Sequence, residues 1–284
     1  MQVYLNGEWI PAEEARVSVF DRGFVFGDSI YEVIPVYGYR PFRVAAHITR
    51  LKASLAAVGM DAQPLKLEWD DLFNRLAETM TSADGSIYLQ ISRGTAPRQH
   101  RFPANAPLTV FAYAHAHSPS TGESSDGIRA ILHDDIRWAR CDIKSTSLIA
   151  NVLLVQVALE QGADEALLVR DGLVNEGAVS NVFAVRAGRL FTAPRSHFIL
   201  GGVTRDLLLE LAARCAIPAE ERAPTRAELL GADEVMITSS SREVVAVTHV
   251  DMNPIGDGRP GPVFRQLHKA FQEFKDGARK GLNT

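Results

Sequence analysis

Cysteine is nearly absent from this chain. Cys141 and Cys215 stand far apart in 284 residues and form no CxxC pair, which leaves neither a disulfide framework nor a zinc site to build on. Long apolar runs are missing too. The longest such segment, Ser147 to Leu159, is broken by Asn151 and Gln156 and is too short to span a bilayer. Positive charge is not in excess: 30 Lys and Arg face 34 Asp and Glu, for a net charge of −4, so no nucleic-acid partner is expected. The start, Met1 to Glu8, lacks the basic-then-apolar layout of a secretory leader, and the chain is expected in the cytoplasm and off the membrane. Internal repeats and low-complexity tracts do not occur. Linker composition is confined to Ser118–Ser125, which predicts an N-terminal domain over 1–118, a linker over 119–125 and a C-terminal domain over 126–284.

With 46% hydrophobic and 23% charged residues, the chain is long enough for two domains with separate cores. Val3 to Pro11 alternates around Asn6-Gly7, a dipeptide suited to a tight hairpin turn. A strand is expected over Ser29–Tyr37, with Pro35 implying an edge or a bulge. Helices are expected over Ala45–Val58, burying Ile48, Leu51, Leu55 and Val58, and over Pro64–Met80. Strands Ser86–Arg93 and Leu108–His117 flank a long connection holding Arg98, His100 and Arg101. In the second half the pattern gives strands at Ile128–His133, Ile136–Arg140, Glu165–Arg170, Leu173–Glu176, Asn181–Arg186 and Asp233–Thr238. Helices are expected at Arg205–Arg214 and Pro262–Lys275. Strands and helices mix without a steady βαβ alternation, which predicts an α+β fold.

Arg137 to Ser147 reads as a strand ending at a turn, with Lys144 between a β pattern and a helix start. From Thr146 the apolar Leu148, Val152, Val155 and Leu159 recur at helical spacing, Ser145 or Thr146 supplies a cap, and Gly162 supplies an end. The start of a helix is locally positive, so an ammonium beside it gives up its proton more readily. The neutral amine is a nucleophile able to form a Schiff base. A solvated turn lysine is the alternative.

Other pieces are ambiguous singly. Gly201-Gly202-Val203-Thr204 before a helix offers free N–H groups and a capping hydroxyl, suited to phosphate or to simple helix initiation. Ser239-Ser240-Ser241 adds hydroxyls at a strand end. Glu176 is an exposed strand-end carboxylate or a partner for a heterocyclic nitrogen, which it would keep protonated. Arg98-x-His100 fits a substrate carboxylate, since the arginine fork matches two oxygens, or it is a polar loop. His115 and His117 share a strand face but lack a third ligand, so no metal is expected. Ser145, Ser147 and Cys141 have no nearby histidine in sequence to suggest a hydrolase triad.

Taken in order, these pieces resemble the fold-type IV pyridoxal-phosphate enzymes, and most closely the bacterial D-amino-acid aminotransferases. The resemblance runs over nearly the whole chain: Asp21-Arg22-Gly23-Phe24-Val25-Phe26-Gly27-Asp28 through Glu32, Arg93 to His100, Asp135 to Lys144, Asn175-Glu176-Gly177 with Ser180-Asn181, Gly202 to Asp206, and Thr238-Ser239-Ser240. It implies a smaller N-terminal α/β sandwich domain and a larger C-terminal pseudo-barrel domain. It also implies pyridoxal 5'-phosphate as cofactor, carried on Lys144, which then moves the proton at the substrate's Cα. Glu176 would pair with the pyridine nitrogen. Arg50, Thr204 and Ser240, with the Val203 and Thr204 amides, would hold the phosphate, and Leu200 would touch the cofactor. Tyr31 with Arg98 and His100 would hold the substrate α-carboxylate, the last two reaching in from the partner in a homodimer with a shared active site. Glu32, Arg137 and Glu165 would lie one layer out.

The reaction that the resemblance implies is a ping-pong transfer between D-alanine, D-glutamate or D-aspartate and 2-oxoglutarate or pyruvate. A branched-chain L-aminotransferase and an aminodeoxychorismate lyase are the rivals of the same fold, and a non-catalytic anion binder is the rival outside it. Arg98-x-His100 argues against the first two. Ala178 and Val179 stand where relatives often carry serine, Pro35 where a polar or basic residue is common, and Ser240 where threonine is common, which bears on side-chain preference more than on the chemistry.

Overall fold

The computed structural model of the chain describes residues 1–61, 63–65, 67–116 and 126–282. The expected linker, residue 118 and His117 lie outside the described residues. The chain divides into two compact units, one of Met1–Pro119 with Ile143–Leu148 and Gly277–Thr284, the other of Ser120–Asp142 with Ile149–Asp276. Lys144 therefore clusters with the first unit, although it follows the linker in sequence.

The first unit contains β1 (Gln2–Leu5), β2 (Glu8–Pro11), α1 (Arg22–Phe26), β3 (Ser29–Tyr37), β4 (Arg40–Pro41), α2 (Val44–Ala57), α3 (Trp69–Glu78), β5 (Gly85–Ser92) and β6 (Thr109–Ala116). The strands form one antiparallel sheet in the order β2-β1-β6-β5-β3-β4. Asn6 and Gly7 close the β1–β2 hairpin with φ of 51° and 100°, the left-handed pair that matches the twist of the strands it joins. Pro35 is tolerated inside β3 because β4 pairs only with Val36 and Tyr37, so the proline meets no ladder donor requirement on that side. The core is built from Ile30, Ile34 and Val36 of β3 and Ile87, Leu89 and Ile91 of β5. Leu51 and Leu55 of α2 and Phe73 and Leu76 of α3 cover them.

Two details of this unit differ from the sequence pattern. The long helix expected from Pro64 resolves into a single 3-10 turn, Gln63–Leu65, and α3 starting only at Trp69. Asp70 and Asp71 in its first turn favour that later start through the helix dipole. α2 also differs in what its buried face contains: beside Leu51 and Leu55 it carries His47 and Ser54, polar members that an apolar-periodicity rule does not see.

The second unit contains β7 (Ile128–Asp134), α4 (Ile149–Glu160), β8 (Glu165–Arg170), β9 (Leu173–Gly177), β10 (Asn181–Arg186), β11 (Arg189–Thr192), α5 (Val203–Arg214), β12 (Ala219–Glu221), α6 (Arg226–Leu230), β13 (Glu234–Ser239), β14 (Glu243–Val250), β15 (Asn253–Pro254) and α7 (Pro262–Arg279), the last running on beyond it. The strand order β10-β13-β14-β7-β8-β9 returns to β10 through the pairing of Asn181 with Glu176. The sheet thus closes into a six-stranded barrel, as the fold-type IV resemblance implies, with β11, β12 and β15 paired outside the ring. Its interior takes one side chain or more from every ring strand: Ile128, Ala130, Leu167, Val174, Val182, Ala184, Val235, Ile237, Val245 and Val247. The alternate residues Ile131, Ala166 and Leu168 face out and pack with Leu154 and Ala158 of α4, the period-two division expected of a barrel wall.

The expected strand Ile136–Arg140 does not form. The Asp135 carboxylate accepts from the Arg137 N–H and guanidinium, and such local side-chain bonds favour a turn over a ladder. α4 starts at Ile149 rather than Thr146, and its buried side chains are Leu154 and Ala158, whereas Val152 and Leu159 are 60% and 57% exposed. A helix apolar on nearly all sides gives no periodicity by which to choose a face. No helix among the described residues is long and apolar enough to cross a membrane.

Candidate active site

In the first unit, Lys144 lies in an irregular segment laid along the start of β3. The Tyr31 N–H donates to the Lys144 carbonyl at 3.0 Å, the Thr146 N–H to the Ser29 carbonyl at 3.0 Å, and Ser145 bridges Ile30. The Lys144 N–H donates to Ser54 Oγ of α2 at 3.2 Å. This corrects the placement of Lys144 at a helix N-terminus: pairing with β3 holds residues 144–146 extended, so α4 cannot begin until Ile149. What the amine has instead is the Tyr31 ring, with Nζ 4.1 Å from its centroid, and a half-buried setting.

Next to it, Glu32 is wholly buried. Arg50 grips it with two nitrogens, Nε to Oε1 at 2.8 Å and Nη2 to Oε2 at 2.6 Å, and His47 Nδ1 lies 2.8 Å from Oε2. Burial raises a carboxylate's pKa, but the Arg50 charge and the hydrogen bonds from Arg50 and His47 outweigh it and bring Glu32 down to about 2. Burial, helped by the Arg50 and Lys144 charges, lowers the His47 pKa against the pull of Glu32. His47 is then neutral, donating from Nδ1 to Glu32, while its buried Nε2 has no protein partner among the described residues.

Arg98 and His100 form a separate group in the same unit. Both are exposed and both rest on Phe26, the Arg98 guanidinium carbon 5.1 Å and the His100 ring 5.5 Å from its centroid.

In the second unit, Glu176 is buried at the point where the barrel closes. Arg137 Nη1 donates to Oε1, Asn181 Nδ2 to Oε2 at 3.2 Å and the Leu200 N–H to Oε2 at 3.0 Å. Arg137 is shared: Nε and Nη2 bind Asp135 at 2.9 Å each, and Arg170 also reaches Asp135, at 3.0 Å. Burial is the largest influence on Glu176 and pushes it up to about 7 against the Arg137 charge and bonds. Every partner of the carboxylate is a donor, the arrangement that suits the anion, and we read it as ionised when a further cation faces it.

Leu200 leads through Gly201 and Gly202 into α5. Gly202 is the N-cap and supplies no side-chain hydrogen bond, so the first-turn amides, including those of Val203 and Thr204, lack an intrahelical partner. A Cβ at Gly202 would run into Asn181 Oδ1. Thr204 is the second residue of the helix and not its cap, and its hydroxyl donates to the Ser239 carbonyl at 3.3 Å. Ser240 lies half-buried in the turn between β13 and β14. Glu176, Leu200, Val203, Thr204 and Ser240 thus form one neighbourhood, stitched by Asn181 and Ser239. Glu165, wholly buried, accepts from Ser180 Oγ at 2.9 Å and from the Ala166 and Ala178 amides at 3.1 Å each, and burial raises its pKa. Ala178 is buried and takes part through its backbone, while Val179 is 55% exposed.

Residues to which the sequence alone assigned no role are His47, Ser54, Asp135 and Asn181. The i, i+3, i+7 spacing of His47, Arg50 and Ser54 marks one helical face and was a readable signal. Asp135-x-Arg137 was a second. Nothing local marks Asn181 as the residue opposite Glu176.

Known proteins give this geometry its setting. The amino-transferase class IV family matches residues 29–250. A D-alanine aminotransferase of Bacillus licheniformis is 42% identical over 272 residues, covering 96% of each chain, and that of Staphylococcus aureus strain N315 is 38% identical over 274 residues, covering 96% of this chain and 97% of the other. Among solved structures, the branched-chain amino acid aminotransferase of T.th. with pyridoxamine 5'-phosphate superimposes with a TM-score of 0.88 at 28% identity, covering 99% of this chain and 96% of that one. The Escherichia coli branched-chain enzyme superimposes at 0.86 with 26% identity, covering 100% and 95%.

Proposed function

The chain belongs to the amino-transferase class IV family, and from that membership we propose a cytoplasmic, homodimeric, pyridoxal-phosphate-dependent D-amino-acid aminotransferase. It moves the amino group between D-alanine, D-glutamate or D-aspartate and 2-oxo acids such as 2-oxoglutarate and pyruvate, in two half-reactions. The observation that carries the substrate side is the pairing of Arg98 and His100 on the one ring of Phe26. A guanidinium fork beside an imidazole is a receiver for an α-carboxylate, in a chain 42% identical to a D-alanine aminotransferase.

The donors present fit the cofactor. A glycine-capped helix start, whose first amides have no partner within the helix, and the Thr204 hydroxyl suit a phosphate. A buried carboxylate surrounded only by donors suits a protonated ring nitrogen. When bound, pyridoxal phosphate supplies an aldehyde for the amino group and a ring that draws electrons from the substrate's Cα.

The protein's own residues do the rest. Lys144 would hold the aldehyde end and carry the proton at the substrate's Cα, its backbone fixed by β3 and Ser54. Glu176 holds the ring nitrogen in its charged form. Val203 and Thr204 amides, the Thr204 and Ser240 hydroxyls and Arg50 hold the phosphate, with Leu200 beside the ring. Tyr31, Arg98 and His100 hold the α-carboxylate, the latter two from a second copy of the chain. Phe20, Phe24 and Phe102, exposed at 58%, 77% and 62%, stand in the segments tied to the Arg98–His100 loop, and a second copy seated there would bury them. Fixing the carboxylate while Lys144 approaches from one side selects the enantiomer that offers its Cα hydrogen.

The test is a stereochemically resolved half-reaction on purified yellow protein. D-Alanine is expected to abolish the cofactor's visible absorbance, while L-alanine and L-leucine leave it. The branched-chain L-specific reading, favoured by the solved-structure likenesses, requires the opposite result with L-leucine.

A further inference from the structure

The cationic loop that presents Arg98 and His100 is held by another arginine that does no chemistry. Arg22 is the first residue of α1 and is 4% exposed, an uncommon fate for a guanidinium. Its backbone N–H donates to the Gly94 carbonyl at 2.9 Å, where the loop leaves β5. Its Nη1 donates to the Gln99 carbonyl at 2.6 Å, the peptide that lies between Arg98 and His100. Its guanidinium carbon sits 4.7 Å from the centroid of Phe26, the ring on which Arg98 and His100 also rest. The segment just before it adds two more ties, an Asp21–Thr95 bridge and a hydrogen bond from the Ala96 N–H to the Phe20 carbonyl at 3.3 Å.

The charge arrangement explains why this residue is an arginine. Asp28 Oδ2 takes Arg22 Nε and Arg93 Nε at 2.8 Å each, and Oδ1 takes Arg93 Nη2 at 3.1 Å. Burial raises the Asp28 pKa, but the two arginines outweigh it and hold the group below the usual carboxylate range. One carboxylate therefore anchors two guanidinium groups, and Arg93 in turn lies 3.7 Å from the centroid of Phe102 at the far end of the loop. A planar fork spends Nε on Asp28 and still has Nη1 for the Gln99 carbonyl and a flat face for Phe26. A lysine ammonium has the charge without the face or the fixed fork.

We infer that Arg22 is a positioning residue for substrate recognition: through the Gln99 carbonyl and the shared Phe26 ring it presets Arg98 and His100 for a carboxylate. The inference rests on the reading of Arg98 and His100 as the carboxylate site. Presetting matters because a loop ordered only on binding would lose part of the interaction to ordering itself. It also assigns Phe26 a role, as the floor common to three cationic or ionisable groups.

The experiment is a double-mutant cycle on cofactor-loaded, full-length protein, comparing Arg22→Lys, Arg98→Met and the double variant. KM for D-alanine, inhibition by propionate, the cofactor absorbance maximum and the melting temperature are recorded for each. Arg22→Lys is expected to raise KM and the propionate inhibition constant about tenfold, with the absorbance maximum unmoved, and to add nothing in the Arg98→Met background. Phe26→Leu, at a half-buried site, is expected to give the same non-additive rise and serves if Arg22→Lys does not fold. The inference is overturned if a folded, loaded Arg22→Lys or Phe26→Leu protein keeps KM within about twofold, or if its effect adds in full to that of Arg98→Met. An Arg98→Met variant with unchanged KM overturns the carboxylate-site reading itself, and the inference with it.

Discussion

Each unit buries one glutamate against one arginine, and the two pairs behave in opposite ways. Glu32 has Arg50 in a two-nitrogen grip and His47 besides, and its pKa falls to about 2. Glu176 has one nitrogen of an arginine whose other two nitrogens bind Asp135, and its pKa rises to about 7. Burial opposes ionisation in both; how much of the arginine each carboxylate holds decides the outcome. A two-nitrogen grip makes a permanent ion pair that holds a structure together. A divided arginine leaves a carboxylate under-compensated, ready to respond to a cation brought up to it.

That contrast predicts different casualties from the same substitution. The largest effect is expected at the responsive site: Glu176→Gln should lower kcat/KM by about 10²–10⁴-fold, with little loss of stability, as steady-state kinetics beside a urea titration would report. Next, Glu32→Gln should cost about 3–5 kcal/mol in urea unfolding, because it takes the carboxylate away from a mostly buried Arg50 charge. A Glu32→Gln protein of full stability, or a Glu176→Gln protein that unfolds first, would break the comparison.

A smaller effect would sharpen it. With the glutamates labelled by 13C at the carboxyl, one is expected to titrate near pH 7 and another to stay ionised below pH 3. The signs come from linkage. Glu32, lowered in the folded state, contributes stability that is present above its ordinary pKa and lost as pH falls toward about 2. Glu176, raised in the folded state, favours folding when protonated, and that contribution is lost as pH rises through about 7. Asp135→Asn would return Arg137 to Glu176 and is expected to move the higher titration down by about one unit. An unmoved titration would mean that the sharing of Arg137 is not the cause.

Much of the fold was legible from the residues. The Asn6-Gly7 turn, the strands Ser29–Tyr37, Glu165–Arg170 and Asn181–Arg186, and the α+β character all come from local patterning. Lys144 was identifiable, but for a reason that fails: its surroundings come from β3, more than a hundred residues earlier, and no window around Lys144 contains that strand. The buried face of α4 was misjudged because the helix is apolar on most sides and only its partners on β7 and β8 choose among them. The burial of His47 and Ser54 on α2 was missed because histidine and serine on a helix read as surface until Glu32 and the Lys144 backbone are placed beside them. What stayed hidden in each case was a long-range contact.

The barrel returns on itself through a single residue pair, Asn181 with Glu176. The chain itself spans that weld, since the turn from Gly177 to Ser180 joins the two strands and its Gly177 N–H donates to the Ser180 carbonyl at 2.7 Å, so the hoop is fastened by a knot of only a few residues. The same economy makes the joint intolerant of extra length: Glu176 is fixed by its pairing with Leu168 of β8, so one inserted residue between Glu176 and Asn181 would carry the Asn181 amide away from the carboxylate it serves.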